Sequence, residues 1–297
     1  MSAFHILMSE LIDYAGLFPP AALSMKDAAV EYRRWITSPG GWMVGRFVCP
    51  VARLGELARE SQSIADQRWN LSVLAGDPLE RDLDSITAFL DETAGRFDVP
   101  SLEIRVASAA NLESCLDALE TVEDGVTAYF EMPLAGDYRG LITAIAGTRH
   151  GAKIRTGGVS ADLIPSVNEV VKFVLACREA QVPFKATAGL HHPVRHFDAP
   201  LNGRMHGFLN VFLAAALALK RDVPQEAVAA AVRTEKIDSF TFSEDHCRAL
   251  DWTLTQDDLS RARGLAVSFG SCSIAEPVED LRSLGLLPLA AEARAAK

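Results

Sequence analysis

The chain has 297 residues, of which 49% are hydrophobic and 23% charged, enough to fill one large domain or two small ones and outside the range of disordered or fibrous chains. Its 29 Lys and Arg against 39 Asp and Glu give a net charge of -10, which argues against a nucleic-acid surface and against binding to anionic membranes. Five scattered cysteines (Cys49, Cys115, Cys177, Cys247, Cys272) form no C-x-x-C pair and point to a reducing compartment. Residues 1–10 lack a signal-peptide pattern, and the longest apolar run, 208–219, is interrupted by Asn210 and too short to span a bilayer. The expected location is therefore cytoplasmic.

From residue 10 to about 190, short β-like runs alternate with segments of helical composition. Strands are predicted at 11–15, 43–48, 70–74, 102–106, 126–131, 152–155 and 183–188. Helices are predicted at 25–37, 51–66, 79–95, 109–121, 137–148 and 165–180, with Ser24, Asp77-Pro78 and Pro165 as start signals. An eighth strand, 265–269, comes late and runs into Gly270-Ser271-Cys272-Ser273. Eight strands with helices between them predict an α/β chain forming one (βα)8 TIM barrel over 1–297. No G-x-G-x-x-G follows the first strand, so a dinucleotide-binding open sheet has little support.

The rhythm breaks between the seventh and eighth strands, where an insertion of about 190–262 replaces the usual single helix. It contains an apolar helix at 206–219, a second helix at 224–234 and a small β excursion at 240–254. Loops of this kind at the C-terminal face of a barrel cover the site, which is the expectation for this one. The alternative use of its surface is a homo-oligomer contact.

Strand side chains alternate between faces, and in a barrel the apolar face meets the helices. In the fourth strand Leu102, Ile104 and Val106 face outward, leaving Glu103 and Arg105 inside. The fifth keeps Thr127, Tyr129 and Glu131 inside. The sixth turns Lys153 and Arg155 inward, the seventh Lys185 and Thr187, and the eighth Ser268 and Gly270. Barrel interiors are ordinarily layers of branched apolar residues, so four cations and two carboxylates at adjacent strand ends read as an active site. The excess of positive charge suggests a small anionic metabolite as partner, with no nucleic acid and no membrane. A buried lysine beside other cations is expected to have a lowered pKa, and a neutral amine attacks a carbonyl to form a Schiff base.

These residues resemble the class I aldolases of the deoxyribose-phosphate aldolase type. That family carries its Schiff-base lysine in K-T-S-T-G on strand six, matched in register by Lys153-Ile154-Arg155-Thr156-Gly157. Its second lysine lies ahead of a Gly-Gly on strand seven, where this chain has Phe184-Lys185-Ala186-Thr187-Ala188-Gly189. Its phosphate-binding F-G-A-S-S is similar to Phe269-Gly270-Ser271-Cys272-Ser273. Ile12-Asp13-Tyr14-Ala15-Gly16-Leu17 is similar to the family's I-D-H-T-x-L, and Val48-Cys49-Pro50 stands where it has V-C-V-x-P. The resemblance implies a TIM barrel, a covalent role for Lys153, support from Lys185 and a catalytic place for Asp13 and Glu131. The chain departs from the family at its strand-four aspartate, which falls at or near Arg105, so that Glu103 is that strand's carboxylate. The Gly-Gly is partly replaced, and the long insertion is foreign to the smaller aldolases.

The loop after the seventh strand holds Gly189, His191, His192 and His196, with His206 and Asn210 one helical turn apart beyond it. Histidines clustered there either handle protons, contact substrate or bind metal, although their spacing matches no established zinc signature. Gly157-Gly158 and Gly270-Ser271 either cradle a phosphate with backbone N–H groups or simply allow tight turns. His5 and His150 read as peripheral, and Cys272 as packing. The leading expectation is a class I aldolase-like lyase acting on a small phosphorylated or carboxylated carbonyl compound. Its catalytic residues would be Lys153, Lys185, Glu131, Glu103 and Asp13. Arg105, Arg155, Thr156, Thr187, Gly189, His191, His192, Gly270 and Ser271 would bind substrate. It calls for no cofactor and no metal. The alternatives are a metal-dependent hydrolase or isomerase built on His191, His192, His196 and Glu131, and a barrel that binds a ligand without catalysis.

Overall fold

The computed structural model describes residues 1–64, 67–122 and 124–287. In chain order these form α1 (Ala3–Met8), β1 (Ile12–Tyr14), α2 (Met25–Ile36), β2 (Val44–Pro50), α3 (Leu54–Glu60), β3 (Trp69–Ala75), α4 (Leu79–Glu92), β4 (Phe97–Arg105) and α5 (Ala109–Leu119). They continue with β5 (Thr127–Glu131), α6 (Tyr138–Ile145), β6 (Gly151–Arg155), α7 (Val167–Ala180) and β7 (Phe184–Thr187). The insertion adds β8 (His196–Asp198), β9 (Gly203–Met205), α8 (Phe208–Leu219), α9 (Gln225–Arg233), β10 (Phe240–Phe242), β11 (His246–Ala249), β12 (Trp252–Thr255) and α10 (Gln256–Leu265). The last strand, β13 (Ala266–Ser271), is followed by α11 (Ala275–Ser283).

Strands β1 to β7 and β13 are all parallel and close into a ring in the order β1-β13-β7-β6-β5-β4-β3-β2, the predicted (βα)8 barrel. The start signals act as read. Ser24 caps α2 by accepting from the Asp27 N–H, Pro78 stands at the head of α4, and Ser166, just after Pro165, forms a capping box with Glu169 on α7. The apolar core lies between ring and helices. Tyr32 of α2 meets Phe47 of β2 and Trp69 of β3 edge-on at 5.3 and 5.0 Å, and Phe173 of α7 meets Phe184 of β7 at 5.6 Å.

The 208–219 run becomes α8, which is buried on every side from Phe208 to Ala218 because barrel, α7, α9 and α10 all pack on it. Phe208 stacks on Phe269 of β13 at 5.2 Å. Asn210, fully buried in this apolar helix, has its polar ends occupied. Its amide donates to the Ala231 and Thr234 carbonyls, and its oxygen accepts from the Arg195 N–H. No helix among the described residues is long and apolar enough to cross a membrane.

The insertion is split between two ends of the barrel instead of lying wholly over the C-terminal face. The β8–β9 hairpin stands at the mouth, where Asp198, Leu201 and Met205 line a cavity. The β10–β11–β12 sheet reaches α1, which precedes β1 and so lies at the N-terminal end. There Phe242 meets Phe4 edge-on at 5.1 Å and the Ala3 N–H donates to the Glu244 carbonyl at 2.8 Å. The physical reason is apolar cover, since Phe4 also packs on Trp42 just before β2.

His150 is buried, not peripheral: its Nδ1 accepts the Ala128 N–H of β5 at 3.2 Å. Burial, together with nearby Arg149, pulls its pKa down to about 4. Its folded-state pKa is thus below the unfolded value, so its contribution is complete above pH 6.5 and is lost as pH falls toward 4. The expected size is on the order of 2 kcal/mol. Urea titrations of wild type and His150→Asn across that window measure it: the variant's stability falls less with acid, and superimposable profiles would refute this account.

Candidate active site

Alternation along the eight barrel strands builds two stacked layers of inward side chains. The lower layer holds Asp13 of β1, Arg46 of β2, Ser72 of β3 and Glu103 of β4. It is completed by Tyr129 of β5, Lys153 of β6, Lys185 of β7 and Ser268 of β13. Lys185 Nζ is the hub. It lies 2.8 Å from Asp13 Oδ2, 2.6 Å from Glu103 Oε1 and 2.9 Å from Ser72 Oγ, over the Tyr129 ring at 5.3 Å. Glu103 bridges the two lysines, because its Oε2 meets Lys153 Nζ at 2.6 Å. Asp13 is held further by the Arg46 N–H at 2.8 Å and the Ser268 hydroxyl at 2.7 Å.

This layer is a largely buried ionic lattice in which Arg46, Lys153 and Lys185 surround Asp13 and Glu103. Burial alone would raise the carboxyl pKa values, but Lys185 and Arg46 hold Asp13 below its ordinary value, and Lys153 and Lys185 hold Glu103 far below its own. Burial likewise opposes charge on Lys185, yet Asp13 and Glu103 win and its pKa is raised. The expectation that a buried lysine beside other cations has a lowered pKa does not hold for Lys185, because Asp13 and Glu103 outweigh both burial and nearby Arg46. Lys185 is 1% exposed and does not reach the cavity.

The upper layer is two residues further along each strand, and every member lines a cavity of about 410 Å³ that opens at the mouth. From β4, β5 and β6 come Arg105, Glu131 and Arg155. From β7 and β13 come Thr187 and Gly270, and from the β1, β2 and β3 side come Ala15, Val48 and Leu74. Lys153 and Glu103 are the lower-layer residues that reach this cavity, so they form its floor. Lys153 Nζ lies 2.8 Å from Glu131 Oε2, and Glu131 Oε1 accepts from Arg155 Nε and Nη2 at 3.1 and 3.0 Å. Burial is again outweighed at Glu131, where Lys153 and Arg155 lower the pKa. Arg105 is not an interior cation. Its side chain is 78% exposed at the rim, with Nη2 3.8 Å from Glu131 Oε1, because it is the last residue of β4.

The remaining predicted residues divide. Gly189 and His191 line the cavity; Thr156, His192 and Ser271 do not. The Thr156 hydroxyl is turned into the scaffold, bonding the Thr187 and Ala188 carbonyls at 3.1 and 2.6 Å. Ala188 and Gly189 both have positive φ, 61° and 81°, which ends β7 abruptly. Gly189 and Gly157 then make room for the tip of Met205. A Cβ on either would come within 2.5 and 2.9 Å of Met205 Cε, so Gly157 serves close packing of the hairpin, while its neighbour Gly158 lines the cavity. Ser271 Oγ is committed to the Ser273 carbonyl at 2.6 Å. Each loop histidine has its own partner: His191 Nδ1 meets Glu276 at 3.0 Å, His192 Nδ1 meets Asp280 at 2.6 Å, and His196 Nδ1 meets the Val194 carbonyl at 3.2 Å. Among the described residues no three His, Cys, Asp or Glu side chains come together to hold a metal, and Glu131 is engaged with Lys153 and Arg155 instead. The set of His191, His192, His196 and Glu131 is therefore not assembled.

Several participants escaped the sequence reading. Ser72, Arg46 and Ala15 follow from the same alternation extended to the first three strands. Glu276 and Asp280, one turn apart on α11, carried no local signal, since their histidine partners are 85 and 88 residues away. Compared with models of protein families, with curated proteins and with solved structures, the chain has no match in any of the three.

Proposed function

We propose that this chain is a lyase of the class I aldolase type, which makes or breaks a carbon–carbon bond through a Schiff base on Lys153. The observation that carries the reading is the position of Lys153 Nζ on the cavity floor, 2.6 Å from Glu103 and 2.8 Å from Glu131. Carboxylates on both sides favour positive charge at that nitrogen, which is the charge of a protonated imine. A carbonyl carbon that reaches the cavity floor meets Nζ, an amine able to form an imine.

The steps balance on these residues. One Nζ proton passes to Glu131 Oε2 and the free pair forms the N–C bond; that proton and a second one from Nζ then go to the former carbonyl oxygen, which leaves as water and returns Glu131 to its carboxylate. The iminium then accepts the electron pair of the adjacent C–C bond as that bond breaks, while Glu131 takes the proton of the departing hydroxyl. Protonation of the enamine carbon and hydrolysis return Lys153. Glu103 stays ionised throughout, held by Lys185 and Ser72, and fixes the nitrogen's position. It is the carboxylate of strand four, one pleat below Arg105, at or near which the aspartate of the aldolases falls. Lys185 keeps the lattice charged and does not act as a second nucleophile.

Borohydride reduction in the presence of a panel of carbonyl compounds, followed by peptide mass mapping, tests this. The expected result is an adduct on Lys153 and none on Lys185. Absence of any Lys153 adduct across the panel overturns the reading.

A further inference from the structure

The upper layer is divided by chemistry. Its β4–β6 half is ionic, with Arg105, Glu131 and Arg155, whereas its β1–β3 half is Ala15, Val48 and Leu74, and Phe18 of the β1 loop continues that wall. These three apolar residues occupy the positions directly above Asp13, Arg46 and Ser72, so the change from polar to apolar happens within one pleat of each strand. A polyhydroxylated substrate reaching across the cavity would leave its hydroxyls against that wall without partners, at a cost of hydrogen bonds lost to water. The cations lie on the opposite side. Arg155 and Arg105 both approach Glu131 Oε1, whose other oxygen meets Lys153 Nζ, so the anion-binding groups are one carboxylate's width from the nucleophile. An anionic group held there is next to the reacting carbonyl and not at the far end of the molecule. The far end faces hydrocarbon. Of the loops that would receive a distal phosphate, Gly157 packs on Met205 and the Ser271 hydroxyl bonds the Ser273 carbonyl, while Gly158, Gly189 and Gly270 stay on the cavity wall.

We infer that the cavity takes a 2-oxo acid with an apolar chain: carboxylate toward Arg105 and Arg155, carbonyl over Lys153, and the chain along Ala15, Val48 and Leu74. The placement of the carbonyl rests on the Schiff-base reading; the preference for an apolar chain rests on the wall itself.

Calorimetric binding of pyruvate, 2-oxobutanoate, 2-oxopentanoate and 2-oxohexanoate, with 2-deoxyribose 5-phosphate alongside, tests the inference on the intact protein. Each buried methylene is expected to tighten Kd about fourfold. The sugar phosphate is expected to bind more weakly than 2-oxohexanoate. A second measurement uses Val48→Thr, which keeps the shape and adds a hydroxyl to the wall; the ratio of long-chain to short-chain affinity should shrink toward one. A flat chain-length series, a sugar phosphate that binds tighter than 2-oxohexanoate, or a Val48→Thr ratio equal to that of wild type overturns the inference. Chain-length-dependent binding without any borohydride adduct would support the inference and remove the Schiff-base reading. An adduct on Lys153 with no chain-length dependence would do the opposite.

Discussion

Lys185→Met lowers folding stability by about 3–5 kcal/mol at pH 7, the cost of removing one partner from a buried charge network. Methionine fills most of the lysine's volume, so the loss is electrostatic: Asp13 and Glu103 keep their burial and lose the Nζ that lies 2.8 and 2.6 Å from them. The pH dependence follows from the direction of each shift. Asp13 and Glu103 have folded pKa values below their unfolded ones, so in wild type their contribution is present above about pH 4 and is lost as pH falls through the folded values. Lys185 has a raised pKa, so its contribution is present below about pH 10 and is lost as pH rises through its folded value. In Lys185→Met the two carboxyls, each short of one cation, take up protons more readily, and the gap to wild type narrows on acidification. Urea denaturation at pH 7 and pH 4 reads both quantities. A loss under 1 kcal/mol at pH 7, or one that does not shrink at pH 4, contradicts the lattice described above.

Glu131→Gln is expected to slow the reaction about 100- to 10,000-fold, the range for losing a positioned general base. Glutamine preserves the shape and still accepts from Arg155, but it cannot take the Nζ proton or the hydroxyl proton. Lys153 and Arg155 lower the Glu131 pKa, so the wild-type acid limb lies below the ordinary glutamate range and activity persists as pH drops through 5. Once a substrate is found in the borohydride panel, steady-state kinetics of both proteins across pH settles the matter. An unchanged kcat, or a wild-type acid limb above pH 5, removes Glu131 from the proton path. Lys153→Met is the companion variant, with neither turnover nor adduct expected.

The barrel was legible because period two is written strongly where apolar residues alternate, as in Leu102, Ile104 and Val106, and that same period turned Glu103, Glu131, Lys153 and Lys185 inward. What alternation does not carry is height along the barrel axis. Arg105 shares a face with Glu103, yet one pleat separates a buried bridge from an exposed rim. Nor does it carry the sign of a pKa shift, which depends on partners from distant strands: Lys185 meets Asp13, a residue 172 positions earlier. Short strands such as β8 and β9 and the burial of α8 on all sides depend on tertiary neighbours, so α8 was visible beforehand as an apolar helix but its full burial was not.

Ring closure has a consequence for how the chain is made. β13 is the eighth and last stave, and it joins β1 to β7, with Ser268 bonding Asp13 across 255 residues. During synthesis β1 and β7 therefore both wait with open edges until residue 271 has left the ribosome. Pairing over such separations makes assembly slow. The emerging protein spends that interval as an incomplete cylinder, and any chain stopped short of β13 is exposed to chaperones or to self-association before its barrel can close.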